Sequence, residues 1–282
     1  MSSKFLSAAP MLQPGLVRLN AHARDPERAG RSSPGGTKMI SDASIDRICE
    51  LTCRKMPSLS ALRDVVARDL RALVRDVVDV RAGRSIVLET QRCPQLYLVE
   101  TGWVFRSRSM AGGQRQIVNY ALPGDFLCVD SVLFKSSSFD LFARTNVTLY
   151  RIDAPATPDM FERHPGLAAA VSWTAGQDES VLAERVVSLG RRDSLAKLAH
   201  QLCELIERLS VIGLMPGNII ETPLNQEDFA DILGISVIHV NRTFRRLHEE
   251  NIAEYRKGQI EILDRRRLAE IAGFDAAYLH LH

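Results

Sequence analysis

The chain has 282 residues, of which 45% are apolar and 25% charged, and a net charge of +2. That length and apolar content suit an ordinary water-soluble protein of two domains, and no apolar run approaches the ~20 residues that a membrane-spanning helix needs. The charge excludes a uniformly basic surface: residues 1–38 hold six basic side chains against Asp25 and Glu27, so the remainder is net −2 and any nucleic-acid contact must come from a local patch.

Residues 1–40 are rich in Ser, Pro, Gly, Ala and Arg without sustained periodicity, which predicts a disordered, dispensable tail. Over 41–77 the spacing of Leu62, Val65, Val66 and Leu70 is helical. Cys49 and Cys53, four apart, share a face of that helical region; they suit a metal or redox centre, or plain packing. With Cys93, Cys128 and Cys203 they make five cysteines without CxxC spacing, which points to a reducing compartment, the cytoplasm, rather than a disulfide framework.

From Arg81 to Asp153 the texture changes to short runs: SIVLE, QLYLVE, WVFRSRS, QRQIVNYAL, DLFA and VTLYRI. Turns are signalled at Thr101-Gly102, at Ala111-Gly112-Gly113 and at Leu122-Pro123-Gly124-Asp125. Strands at such intervals predict an antiparallel barrel or sandwich, of a size that can enclose a small ligand.

After His164-Pro165 the pattern is helical for about 25 residues. Ala168, Ala175, Leu182 and Leu189 recur every seven, flanked by Val171 and Val186, while Asp178 and Glu179 interrupt the stripe. Such a seam predicts pairing with a second copy, the alternative being packing on its own barrel. Asp193 or Ser194 then caps a further helix with Leu195, Leu198, Ala199, Leu202, Leu205, Ile206 and Leu209 on its apolar face; Cys203 and His200 lie in this helix and read as packing residues.

Leu224 to Leu247 reads as two short helices around a glycine turn. Asn225 caps the first, acids fill its first turn, and Phe229, Ile232 and Leu233 form its apolar face. Gly234 suits the helix end, and Ser236 caps a second helix in which Val240, Phe244 and Leu247 point inward. Val237, Ile238, His239, Asn241, Arg242, Arg245 and Arg246 face out. The second helix holds arginines and no acid, so it is the one that approaches phosphates. Glu254 to Arg256, Lys257-Gly258 and Gln259 to Leu263 then predict a β-hairpin wing.

This order, with LPGDF at Leu122 to Phe126, the run LGRRDSLAKLAHQLCEL, and LNQEDFADILGISVIHVNRTFRRL, resembles the Crp/Fnr family of bacterial transcription regulators over roughly residues 60–264. The tail RRRLAEIAGFDAAYL resembles a C-terminal extension seen in many members. The resemblance implies an α+β fold: a disordered tail (1–40), an antiparallel, cupin-like sensor β-roll with N-terminal helices (41–163), a dimerisation helix (164–192), a winged helix-turn-helix (193–264) and a helical extension (265–282). It implies double-stranded DNA, a second copy of the chain and RNA polymerase as partners, and no membrane. Base edges would be met by Val237, Ile238, Asn241 and Arg242, with Ser236, His239 and Arg245 on phosphates. Arg242 would take guanine O6 and N7 bidentately.

In the sensor the chain departs from its relatives. The alignment puts Val129 where cyclic-nucleotide-binding members have the ribose-binding glutamate, and Ser137 where they have the phosphate-binding arginine. A phosphate left unpaired in a small barrel costs several kcal/mol, so cyclic nucleotide binding is not expected. Cys49 and Cys53 do not reproduce the family's iron-sulfur group, Tyr150 stands at the roll position, and no His accompanies Cys93 for a haem. No cofactor or metal is therefore assigned and the effector is open; the alternative is a redox- or metal-responsive regulator using Cys49, Cys53, Cys93 or Cys128. HExxH, P-loop and GxSxG motifs are absent, so no enzyme is expected.

Overall fold

The computed structural model describes residues 40–256 and 258–281, so the tail expected over 1–40 lies outside the described residues but for Ile40. The N-terminal helical region is α1 (Asp42–Lys55), a 3-10 turn (Pro57–Leu62) and α2 (Arg63–Leu73). It ends earlier than the spacing predicts: Val74–Val80 is a strand, β1. Its register against a strand more than 60 residues later fixes it as β, a pairing that local periodicity does not reveal.

Two four-stranded antiparallel sheets follow. The strands are β2 (Ser85–Val87), β3 (Gln95–Thr101), β4 (Val104–Ser109), β5 (Arg115–Ala121), β6 (Phe126–Leu127), β7 (Asp140–Ala143) and β8 (Val147–Asp153). One sheet has the order β1-β8-β3-β6, the other β2-β7-β4-β5. Val99, Val104, Leu127, Leu141 and Leu149 fill the space within the roll. A short helix, α3 (Val129–Phe134), follows the LPGDF turn, where Gly124 adopts φ 89°, and α4 (Thr157–Arg163) leads out of the roll.

The long helix α5 spans Pro165–Arg191. Its start is fixed from within: Asp69 of α2 accepts hydrogen bonds from the Gly166 and Leu167 amides (2.7 and 3.1 Å). A Cβ at Gly166 would come within 2.6 Å of the Val65 backbone, so only glycine lets α2 and α5 approach. The face of α5 differs from the seam expected. Ala168 and Val171 are buried in the chain's own core, Leu182 and Leu189 are half-buried, and Ala175 is exposed. Val186, 70% exposed, belongs instead to an outward stripe with Ser172, Gly176, Glu179, Ala183, Val187 and Gly190. A heptad count cannot tell which of two flanking faces the roll claims.

Asp193 caps α6 (Ser194–Val211) by accepting from the Ala196 amide at 2.8 Å. Next come β9 (Ile219–Glu221), α7 (Gln226–Leu233), α8 (Val237–Glu249), β10 (Ala253–Arg256), β11 (Gln259–Ile262), α9 (Arg265–Ala272) and a 3-10 turn (Ala276–Leu279). The wing is three-stranded, β10-β11-β9; the third strand lies before the helices and carries no alternation long enough to be read locally. No helix of the described residues is long and apolar enough to cross a membrane.

Candidate nucleic-acid interface

The two helices around Gly234 are built from short-range signals. Asn225 and Asp228 form a capping box, each side chain accepting from the other's backbone amide (2.8 and 3.0 Å). Gly234 ends α7 at φ 63°, with its Cα face against Leu189 of α5. Ser236 caps α8, its Oγ accepting from the His239 amide and meeting His239 Nδ1 at 2.7 Å. Val240 and Leu247 are fully buried, and Phe244 stands edge-on to Phe229 with centroids 5.3 Å apart.

The opposite face of α8 is open. Ser236, Val237, Ile238, His239, Asn241, Arg242 and Arg245 are all exposed, Ile238 at 71%. They are not equally free. Asn241 Nδ2 donates to the Val237 carbonyl at 3.2 Å, and Arg246 is held by Glu250 at 2.7 Å. Among the described residues, Arg242 and Arg245 have no ion-pair or hydrogen-bond partner. The face therefore presents two uncommitted guanidinium groups beside an exposed isoleucine.

The acids of α7 have a different use. Arg115 of β5 reaches Asp231 at 2.8 Å and Asp228 at 3.5 Å, Arg144 reaches Asp228 at 2.8 Å, and Gln116 donates to the Asp231 and Ile232 carbonyls. The opposite charges of the two helices thus divide the labour: α7 binds the roll and α8 is left for an outside partner. Sequence reasoning identified the acids as helix-dipole partners and missed Arg115 and Arg144, which lie more than 80 positions away.

A second buried network links α6 to the roll. Arg208 donates to the Tyr120 carbonyl (2.6 Å) and Asn119 (2.9 Å), lies over the Tyr120 ring, and pairs with Glu204 and Asp125. Lys55 of α1 pairs with the same Asp125. Glu204 also meets Arg185 of α5 and the hydroxyls of Tyr120 and Tyr278. Burial would raise the Glu204 and Asp125 carboxyls, but the surrounding cations outweigh it and hold both below the usual carboxylate value.

Between the roll and α5, Arg106 pairs with Asp178 at 2.5 Å and both are largely buried. The space left, lined also by Asn119, Thr174 and Gln177, is about 20 Å³. That is room for about one water. Of the residues aligned with the nucleotide-binding positions, Val129 is buried and the Ser137 hydroxyl donates to the Phe139 carbonyl at 2.7 Å. Of the cysteines, Cys49 and Cys53 bring their Sγ atoms to 3.9 Å, and Cys93 and Cys128 are buried in one cluster. Among the described residues no group of three or more His, Cys, Asp and Glu side chains could hold a metal.

His200 titrates in a separate window. Burial, then Arg192, depress its pKa from 6.5 to about 4; Glu184 at 3.1 Å and Glu204 oppose this without reversing it, and Arg185 adds to the depression. Above pH 6.5 the ring is neutral in both folded and unfolded chains. As pH falls from 6.5 towards 4 the unfolded chain gains a proton that the folded one refuses, so stability drops by roughly 2–3 kcal/mol. Thermal melts at pH 7 and pH 5 should show this loss, and His200→Asn should remove it; an unchanged slope in the variant assigns the loss elsewhere.

The comparisons with known proteins agree with this anatomy. Residues 77–164 match the cyclic nucleotide-binding domain model and residues 196–271 the Crp-like helix-turn-helix domain model. The nitrogen fixation regulation protein FixK of Bradyrhizobium diazoefficiens is 29% identical over 195 residues, 69% of this chain and 81% of that protein. The transcriptional activator FnrL of Cereibacter sphaeroides is 25% identical over 200 residues, 70% and 80% of the two chains. The solved structure of FixK2 from Bradyrhizobium japonicum superposes with a TM-score of 0.66 at 22% identity, covering 72% of this chain and all of that one. The relatives are transcription regulators rather than enzymes. With a cyclic-nucleotide-binding-like roll and a Crp-like reader in one chain, the protein belongs to the Crp/Fnr family of DNA-binding transcription regulators.

Proposed function

We propose that the protein is a homodimeric, cytoplasmic regulator that reads a two-fold symmetric operator through α8 and works without cyclic nucleotide in its roll. The sensor covers 41–163, the dimer helix 164–192, the reader 193–264 and a helical extension 265–282. The observation that carries the reading is the open face of α8, with Arg242 and Arg245 uncommitted among the described residues. Arg242 takes a guanine edge, Asn241 and the exposed Val237 and Ile238 meet neighbouring bases, and Ser236, His239 and Arg245 hold phosphates. Double-stranded DNA and a second copy are its direct partners, with RNA polymerase engaged on the bound promoter.

The reading without cyclic nucleotide rests on size. A small-molecule site needs on the order of 300 Å³, whereas Arg106 and Asp178 leave about 20 Å³. The purified protein should select a palindromic site from random duplexes with no small molecule added, its half-sites about one helical turn apart. Recovery of a site only with a cyclic nucleotide present would overturn this part.

The dimer rests on the outward stripe of α5, where Val186 and Val187 are 70% and 48% exposed in a single chain. Val186→Glu puts a carboxylate at that seam. It should convert the protein to monomer in sedimentation velocity and lower operator affinity, while leaving the melting temperature within about 2 °C, since the side chain is solvated in the monomer.

A further inference from the structure

The last residues of the chain fold back on the long helix. Gln177 of α5 donates to the Leu279 carbonyl at 2.5 Å, Ser180 meets His280 at 3.2 Å, and Leu279 and Leu281 bury themselves against Val181. Tyr278 stacks on His200 and reaches Glu204 at 3.1 Å. This strap, residues 274–281, lies beyond both matched domain models. Between it and α5 runs a groove of about 980 Å³, bounded by Ser172, Gly176 and Ser180 on the helix and by Ala276, Ala277 and Leu281 on the strap.

Gly176 lines the groove, and Gly190 lies further along the same helix. Among the described residues a Cβ added at Gly176 or at Gly190 would meet nothing within 4 Å, so none of them requires glycine there. Glycine inside a helix costs about 1 kcal/mol relative to alanine. The two positions are two heptads apart and so lie on one face, the same face as the exposed Ala183 and Val186. A close backbone approach from outside the chain accounts for both, and a helix of the same face, from a second copy, supplies one at each end. The strap flanks this stripe rather than covering it: Gly176, Ala183 and Val186 stay exposed beside it.

We propose that the strap is the outer wall of the homodimer interface, so that α5 of the second copy seats in the groove between Gly176 and Ala277. The proposal rests on the homodimer reading above and adds to it a segment outside the matched domains. Ala277 is exposed in the single chain, so Ala277→Arg fills the groove without disturbing the core. Self-association of the full chain is measured by sedimentation velocity across a dilution series, for wild type, Ala277→Arg and Ala277→Ser, with thermal melts confirming that each is folded. Wild type and Ala277→Ser should dimerise alike, and Ala277→Arg should dissociate at roughly tenfold higher concentration or more, as expected of a bulky charge placed in a packed interface. Unchanged dimerisation of Ala277→Arg overturns the wall and leaves the groove to another occupant. Tighter dimerisation marks the strap as an obstacle and overturns it as well. A wild type that stays monomeric at every concentration overturns the homodimer reading itself.

Discussion

Glu204→Ala should destabilise the protein by about 3–5 kcal/mol, the cost of breaking a buried ion pair by removing one partner. At this chain length that corresponds to a fall of roughly 6–20 °C in melting temperature. The carboxylate is 2% exposed and is shared by Arg185 and Arg208, with Tyr120 and Tyr278 donating to it. Among the described residues the buried Arg185 Nε has no partner, so Arg185 has little reserve when Glu204 goes. The pH dependence provides a second arm. A carboxyl held below its ordinary value stabilises fully above about pH 4.5, and that contribution is lost as pH falls through the lower folded value. Glu204→Ala should therefore lose stability at pH 7 and show a shallower acid limb than wild type. A melting temperature within about 1 °C of wild type would sink the assignment, because even a half-satisfied buried pair costs more than that.

How much of this could be read from the sequence depended on distance along the chain. The caps Asn225 and Ser236, the positive-φ Gly234 and the inward Val240, Phe244 and Leu247 are signals within one or two helical turns, and the second helix stands where they place it. β1 was hidden because VRDVVDV continues the apolar spacing of α2, and its strand identity comes from β8. The Glu204 hub was hidden because its members come from the roll, α5, α6 and the C-terminal strap, and each alone is an ordinary charged or tyrosine position. Asp178 is the instructive case. As an interruption of an apolar stripe it weakens the expected seam; in the fold it faces inward to Arg106, and the two line a space of about 20 Å³.

Fixed pairs join the roll to the long helix and to the reader: Arg106 with Asp178, Arg208 with Asp125, and Arg115 and Arg144 with the acids of α7. Asp125 takes Lys55 from α1 as well, so the N-terminal helix, the roll and α6 share one carboxylate. A reader held by such pairs is already positioned when the chain folds, which is why binding without added effector is the expected behaviour.

Arg242→Ala should lower affinity for the operator by about 1–3 kcal/mol, or 5- to 150-fold, and relax the choice of base at one position in each half-site. The argument is one of availability. Of the arginines on α8, Arg246 is tied to Glu250 at 2.7 Å and sits past the helix middle, while Arg242 lies one turn after the exposed Ile238 and has no partner among the described residues. Arg246→Ala is therefore the control, expected to cost no more than a phosphate contact and to leave base preference intact. Ile238→Ala should weaken preference at the neighbouring position without touching that read by Arg242, since an apolar side chain discriminates through a thymine methyl and not through hydrogen bonds. Fluorescence anisotropy on the selected operator and its single-base variants, at one fixed salt concentration, separates the three. If Arg242→Ala binds operator and variants with the same ratios as wild type, Arg242 reads no base and the guanidinium contact belongs to Arg245.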